Sequence, residues 1–211
     1  MAQMGRPRTF ERDQAIQQAM HLFWQYGYDS TSLALLKANI GNGISAPSFY
    51  AAFGSKEELF REVIEYYIAT HGQVTNSLWD ESLTPREAIE RTLRQSVKMQ
   101  TEFSHPKGCL LVLSTATCSP ENLHIQQFLT QHRLTTHDRF TQCVQRAVET
   151  GELTADTNID AYATSIYSFL LGISVQARDG VSGAVLDAAV TEIMRHWDSR
   201  VATSQIRQLH D

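Results

Sequence analysis

The sequence lacks any apolar run long enough to cross a bilayer. Its longest apolar stretch, around residues 168–175, is far short of the roughly 20 residues a membrane helix requires. Residues 1–10 are polar and basic, without the apolar centre of a secretory signal. Cysteine is scarce. Cys109, Cys118 and Cys143 are odd in number and show no C-x-x-C spacing, which argues against a disulfide framework and fits a reducing cytoplasm. Positive charge is not in excess either: the net charge of -5 excludes a chain that coats nucleic acid by bulk charge, so any nucleic-acid site must be local. Strand-period alternation, internal repeats and low-complexity tracts are missing. So are G-x-S-x-G, a P-loop, a Rossmann glycine pattern and H-E-x-x-H, the arrangements that would assemble a nucleophile, a base or a catalytic metal. The expectation is a soluble cytoplasmic protein that is not an enzyme, needs no cofactor and does not engage a membrane.

What is present is helical periodicity. Between residues 10 and 28, Ala15, Ile16, Ala19, Met20, Phe23 and Tyr26 recur at helix spacing, and Gly27 stands where a C-terminal stop belongs. Asp29, Ser30, Thr31 and Ser32 offer capping oxygens to a short second helix with Leu33, Leu35, Leu36 and Ala38. Ser45 is placed to cap a third, with Pro47 in its first turn, where a missing N–H costs nothing. Ser55 and Glu58 have capping-box spacing and begin a long fourth helix, expected to run to about Leu78. Further helices are expected over about 84–103, 109–117, 120–150, 160–178 and 184–201. The chain therefore reads as all-α.

Three short helices with a glycine-containing turn between the second and third have the layout of a helix-turn-helix DNA reader. Charge agrees: the net charge is +1 through Arg61 and -6 beyond it. The segment from Gly5 to Phe60 also resembles the N-terminal domain of the TetR family of transcriptional regulators. It carries A-x-x-x-A-x-x-L-F in the first helix, G-Y-x-x-T-S before the second, and G-I-S-x-x-S-F-Y ahead of F-G-S-K-E-x-L-F. The resemblance implies a three-helix reading head over 1–54 and a helical ligand-binding and dimerisation domain over 55–201; the polar stretch 202–211 is expected to be a flexible tail. It implies a homodimeric regulator, most often a repressor, that binds a palindromic double-stranded operator and answers a small-molecule effector. One departure stands out: Asn39-Ile40-Gly41-Asn42 reads as about two extra residues at the end of the second helix.

Each head residue has a physical reason for a DNA role. Thr31 and Ser32 can offer hydroxyls to a phosphate beside a helix N-terminus, whose dipole favours the same anion. Ser45, Ala46, Pro47 and Ser48 stand at the leading end of the reading helix, where side chains meet base edges in the major groove. Tyr50 can reach a phosphate through its hydroxyl, and Phe49 and Phe53 pack inward. Lys56 resembles the family's phosphate-binding lysine. Arg6 and Arg8, on a Pro-stiffened arm, suit a minor groove.

The C-terminal part is less explicit. A cavity there is implied by the resemblance, and Tyr66, Tyr67, Trp79, Met99, Phe103, Cys109, Phe128, His132, Phe140, Tyr167 and Phe169 are its candidate walls, since aromatics and Met combine apolar area with polar tips. The effector classes left open are an apolar or aromatic molecule, an aldehyde- or quinone-like electrophile, and a metal ion. His105, His124, His132 and His137 show no tight ligand spacing, so no metal site is assigned. Cys109, beside Lys107 and near a helix start, leaves a thiol-based redox sensor as an alternative. A helical protein-binding adaptor is the other. Dimerisation is expected on the last two helices. There, Ala161, Ser165, Ser168 and Gly172 allow close approach beside Ile166, Phe169, Leu170 and Ile173, and Leu186, Val190, Ile193, Met194 and Trp197 form an apolar stripe.

Overall fold

A computed structural model describes residues 11–115 and 118–201. The arm bearing Arg6 and Arg8 and the tail 202–211 lie outside the described residues. Helix α1 spans Arg12–Ser30 and is broken at Gly27, whose φ of 79° and ψ of 171° leave the helical region; the periodic stretch thus stops where the glycine stands. Helix α2 is Leu33–Asn39 and α3 is Ala46–Phe53. Between them Gly41, Asn42 and Gly43 all have positive φ (57°, 59° and 90°). Glycine visits this region routinely and asparagine more readily than most other residues, which is why the chain closes into a tight turn here. The turn is anchored, because the Gly41 amide donates to the Gln18 side chain (2.8 Å) and Ile40 is fully buried.

Helix α4, Lys56–Ala69, is shorter than its periodicity predicts. The Thr70 hydroxyl turns back to the Tyr66 carbonyl (2.7 Å), and His71–Trp79 continues as a 3-10 helix. Ser55 accepts from the Glu58 amide (3.0 Å), but the Glu58 carboxylate folds over Gly54 instead of completing a capping box. A complete box forms at Thr84 and Glu87, which open α5, Pro85–Thr101. A single turn α6, Leu110–Leu113, precedes the long α7, Leu123–Glu149. Helices α8, Ile159–Arg178, and α9, Gly183–Asp198, complete the bundle. Among the described residues, extended pairing is limited to one isolated bridge between Leu153 and Val201. No helix among them is long and apolar enough to cross a membrane.

Two cores hold these elements. One joins α1–α4 to Leu110, Ile125 and Leu129, with Trp24, Phe23, Phe49, Phe60 and Tyr67 fully or almost fully buried. Packing therefore groups α4 with the reading head, although the chain-order boundary expected at Gly54 precedes it. The second core joins α5, α7, α8 and α9. This second core corrects the expected dimer stripe. Ile166, Leu170, Ile173, Leu186, Val190, Met194 and Trp197 are buried within the protomer, against α5 and α7. Burying an apolar stripe is as favourable inside a protomer as between protomers, and here α5 and α7 supply the cover. Ala161, Ser165 and Ser168 remain exposed, and Phe169, Gly172 and Ile193 are half-buried.

Candidate nucleic-acid interface and ligand cavity

Helix α3 is built to show one face and bury the other. Ser45 caps it by accepting from the Ser48 amide (3.2 Å), and its hydroxyl also meets that of Ser48 (2.8 Å). Phe49 and Phe53 anchor the inner face, while Ser45, Pro47, Ser48 and Tyr50 stand exposed and Ala46 is half-buried. The leading turn thus presents two hydroxyls, an apolar proline ring and a phenol on one protruding edge. That is the donor and apolar mixture that base edges and phosphates accept.

At the start of α2 the two hydroxyl residues separate. Ser32 is exposed and accepts from the Leu35 amide (3.1 Å) as the cap. Thr31 is fully buried, and its hydroxyl donates to the Gly27 carbonyl at 2.6 Å. Thr31 therefore leaves the set of DNA-facing residues: its polar atom closes the break in α1. Lys56 is half-buried. Its ammonium sits 4.2 Å from the centre of the Tyr28 ring, and burial pulls its pKa down while Asp29 opposes the shift.

A cavity of about 360 Å³ opens between α4, the 3-10 helix and α5–α8. Of the expected walls, Tyr67, Trp79, Met99, Cys109, His132 and Tyr167 line it. The others do not. Tyr66 accepts from the Gln17 side chain (2.6 Å), Phe103 is 94% exposed, and Phe128 lies beneath the Arg61 guanidinium at 4.4 Å. Phe140 belongs to the second core and Phe169 packs against it. Aromatic identity marks apolar area and says nothing of which side of a helix meets empty space.

The polar furniture of the cavity is specific. The Tyr67 hydroxyl donates to the Cys109 sulfur at 3.3 Å, the Ser174 hydroxyl donates to Gln100 at 2.8 Å, and the Tyr167 hydroxyl donates to the Arg133 carbonyl at 2.8 Å. Burial pushes the Cys109 thiol up and holds His132 below the ordinary histidine range. The Lys107 ammonium lies 5.1 Å from the centre of the Phe103 ring. Burial outweighs the Tyr67, backbone and Arg133 contributions that favour the thiolate, so the thiol pKa is raised where a reactive sensor needs it lowered.

The chain matches the family model described as bacterial regulatory proteins, tetR family, over residues 15–63. It matches a tetracyclin repressor-like C-terminal domain over residues 85–193. It is 31% identical over 199 residues, 93% of both chains, to the HTH-type transcriptional repressor ComR of Escherichia coli (strain K12). The chain belongs to the TetR family. It is thus a helix-turn-helix, DNA-binding transcriptional regulator, and the family is not catalytic. A TetR-family CifR cysteine mutant, solved in complex with a 26-bp operator duplex, is 40% identical, with a TM-score of 0.82 over 91% of this chain and 100% of that one. The reduced form of E. coli NemR, 22% identical, shares the fold at a TM-score of 0.66 over 86% of this chain and 94% of that one.

Two residues of this TetR-family protein escape a search for aromatic or capping patterns. Arg133 borders the cavity although it sits on the stripe Ile125, Leu129, Arg133, Thr136, Phe140 of α7. A cation inside an otherwise apolar and neutral helical stripe is the signal that finds it. Arg178, at the end of α8, donates to the carbonyls of Trp24 (2.8 Å), Gln25 (3.2 Å) and Lys107 (3.0 Å). It ties the last turn of α8 to α1, and no local sequence pattern announces such a tie.

Proposed function

We propose that the protein is a one-component repressor that binds a palindromic operator as a homodimer and is released when a small molecule fills the cavity. The observation that carries the DNA half is the exposed edge of α3, with Ser45, Ala46, Pro47, Ser48 and Tyr50 clear of the core. The operator complex of the CifR relative and the repressor name of ComR support the same reading. Ser32 and Lys56 would flank the edge as phosphate contacts, and Arg6 and Arg8 would extend it into the minor groove. In chain order the head is 1–54, the regulatory and dimerisation body 55–201 and the tail 202–211.

Dimerisation would use the exposed small-residue face of α8, with Ala161, Ser165, Ser168 and Gly172, together with α9 beside Ile193. Such faces allow helices to approach closely across a two-fold axis. Two heads of a dimer must stand about one DNA turn apart, roughly 34 to 36 Å, or a multiple of it, so small changes in spacing weaken binding. Helix α4 is suited to set that spacing. Its Ser55-capped N-terminus follows the reading helix, and Tyr67 near its other end lines the cavity and meets Trp24 of α1 edge-on, with ring centres 5.0 Å apart.

The test is a sequence-specific shift assay on the DNA upstream of the protein's own gene, followed by titration of a ligand found by thermal-shift screening. Operator and ligand should each weaken the other by the same factor, on the order of 5- to 150-fold. Failure to shift any segment of that DNA would refute the autoregulated repressor, and equal ligand affinity with and without operator would refute release by the ligand.

A further inference from the structure

We propose that the cavity selects a ligand with a carboxylate head on an apolar body, and that Arg133 recognises the head. The inference deepens the effector-site reading and rests on it. Among the residues that line the cavity there is no Asp or Glu. Arg133 is the one permanently charged side chain among them, because burial keeps His132 biased toward its neutral form.

Several arginines elsewhere meet carboxylates, Arg12 with Glu62, Arg61 with Glu57, Arg86 with Asp198 and Arg94 with Asp187, while Arg146 and Arg178, which do not line the cavity, donate to backbone carbonyls. Arg133 makes no ion pair among the described residues. Its Nη1 donates to the Leu111 carbonyl (2.6 Å) and its Nη2 to the Thr130 hydroxyl (2.9 Å), both neutral acceptors. A guanidinium carries more N–H groups than these two bonds use, in a planar fork that matches a carboxylate.

The position of this cation is costly in the absence of an anion. Desolvation disfavours the charged form, and burial lowers the Arg133 pKa accordingly. A ligand carboxylate would offset that cost through charge-assisted bonds, while an ammonium would add repulsion to it. The remaining wall sets the body of the ligand. Val74, Met99, Val112 and Leu171 line a space of about 360 Å³, enough for a short alkyl or aryl group. The Tyr167 hydroxyl is occupied by the Arg133 carbonyl, so it braces the backbone that carries the cation.

The experiment compares octanoate, octanol and octylamine, three heads on one apolar body, by calorimetric titration of the full chain at neutral pH. The expected order is octanoate about tenfold tighter than octanol, with octylamine weakest. Arg133→Gln should bring octanoate and octanol within about twofold of each other, and Arg133→Lys should keep part of the preference. Equal binding of octanoate and octanol by the wild type would overturn charge selection and leave the cavity reading standing. A preference that persists in Arg133→Gln would remove Arg133 from recognition. Absence of binding by all three probes would overturn the cavity reading and this proposal with it. The wild-type comparison decides charge selection even where Arg133→Gln fails to fold, and Arg133→Lys, which keeps the charge and loses the fork, then tests the residue by a reduced octanoate preference.

Discussion

The Ser114 carbonyl accepts a hydrogen bond from the Tyr28 amide at 3.0 Å, joining the end of α6 to the last turn of α1 just past its break at Gly27. The same oxygen lies 3.1 Å from where a β-carbon on Gly27 would stand. Ser114 ends α6, and Leu111 and Val112 of that turn line the cavity. One short helix thus borders the cavity through its two middle residues and grips the reading head at its end. Gly27→Ala should strain the φ of 79° and push against Ser114, lowering stability by about 1 to 3 kcal/mol. Denaturant unfolding measures the loss, and an unchanged midpoint would show that the junction relaxes freely.

Lys56→Ala should reduce the magnitude of the log-log salt slope of operator binding by about 0.9, the value for one phosphate contact. Its position over Tyr28 adds a second expectation, since loss of this cation–π contact costs on the order of 0.5 to 1 kcal/mol at a partly exposed site. A changed stability with an unchanged slope would assign Lys56 to packing alone.

Stability should fall as pH drops below about 6.5. The His71 and His105 rings meet edge-on, with centres 4.7 Å apart, and His105 stacks on Trp24 at 4.4 Å. Burial and the neighbouring His105 hold His71 and His21 below the ordinary histidine pKa, with Glu102 opposing the shift at His71. A histidine lowered in the folded state binds fewer protons than in the unfolded chain. Its contribution is therefore complete above the unfolded pKa and is lost as pH falls through the folded one. Melting followed by tryptophan fluorescence between neutral and mildly acidic pH checks the sign, and His71→Phe should flatten the dependence.

Ser168→Arg should give a folded monomer. Ser168 lies on the exposed face of α8 with Ala161 and Ser165, and Val175 on that helix and Val185 on α9 are 51% and 59% exposed. A charge at Leu170 should instead unfold the protein, because this side chain is in the protomer core. Light scattering together with circular dichroism separates the two results. A Ser168→Arg dimer would move the interface elsewhere.

Arg178→Ala should destabilise the protein by on the order of 1 to 3 kcal/mol, since it leaves the Trp24, Gln25 and Lys107 carbonyls without this donor. Arg178→Lys should rescue little, because an ammonium cannot reproduce the planar fork across three acceptors. Full rescue by lysine, read from unfolding midpoints, would show that charge alone matters there.

The sequence by itself determined what depends on neighbours along the chain. Gly27 stops the periodic part of α1, Ser32, Ser45 and Ser55 cap the next three helices, and Phe49 and Phe53 turn inward while Ser48 and Tyr50 face out. Glycine backbone freedom, cap geometry and the 3.6-residue period are local, so they are legible before any packing is known. Tertiary structure alone decided which partner covers each apolar face. Periodicity marks Leu170, Leu186 and Trp197 as apolar-facing but cannot separate a protomer core from a subunit interface, because burial is equally favourable in both. In the same way, only the fold placed Thr31 in the interior beside an exposed Ser32, and brought the Arg133 cation to a cavity whose walls come from six segments of the chain. Those outcomes are set by long-range juxtaposition, which no window of sequence contains.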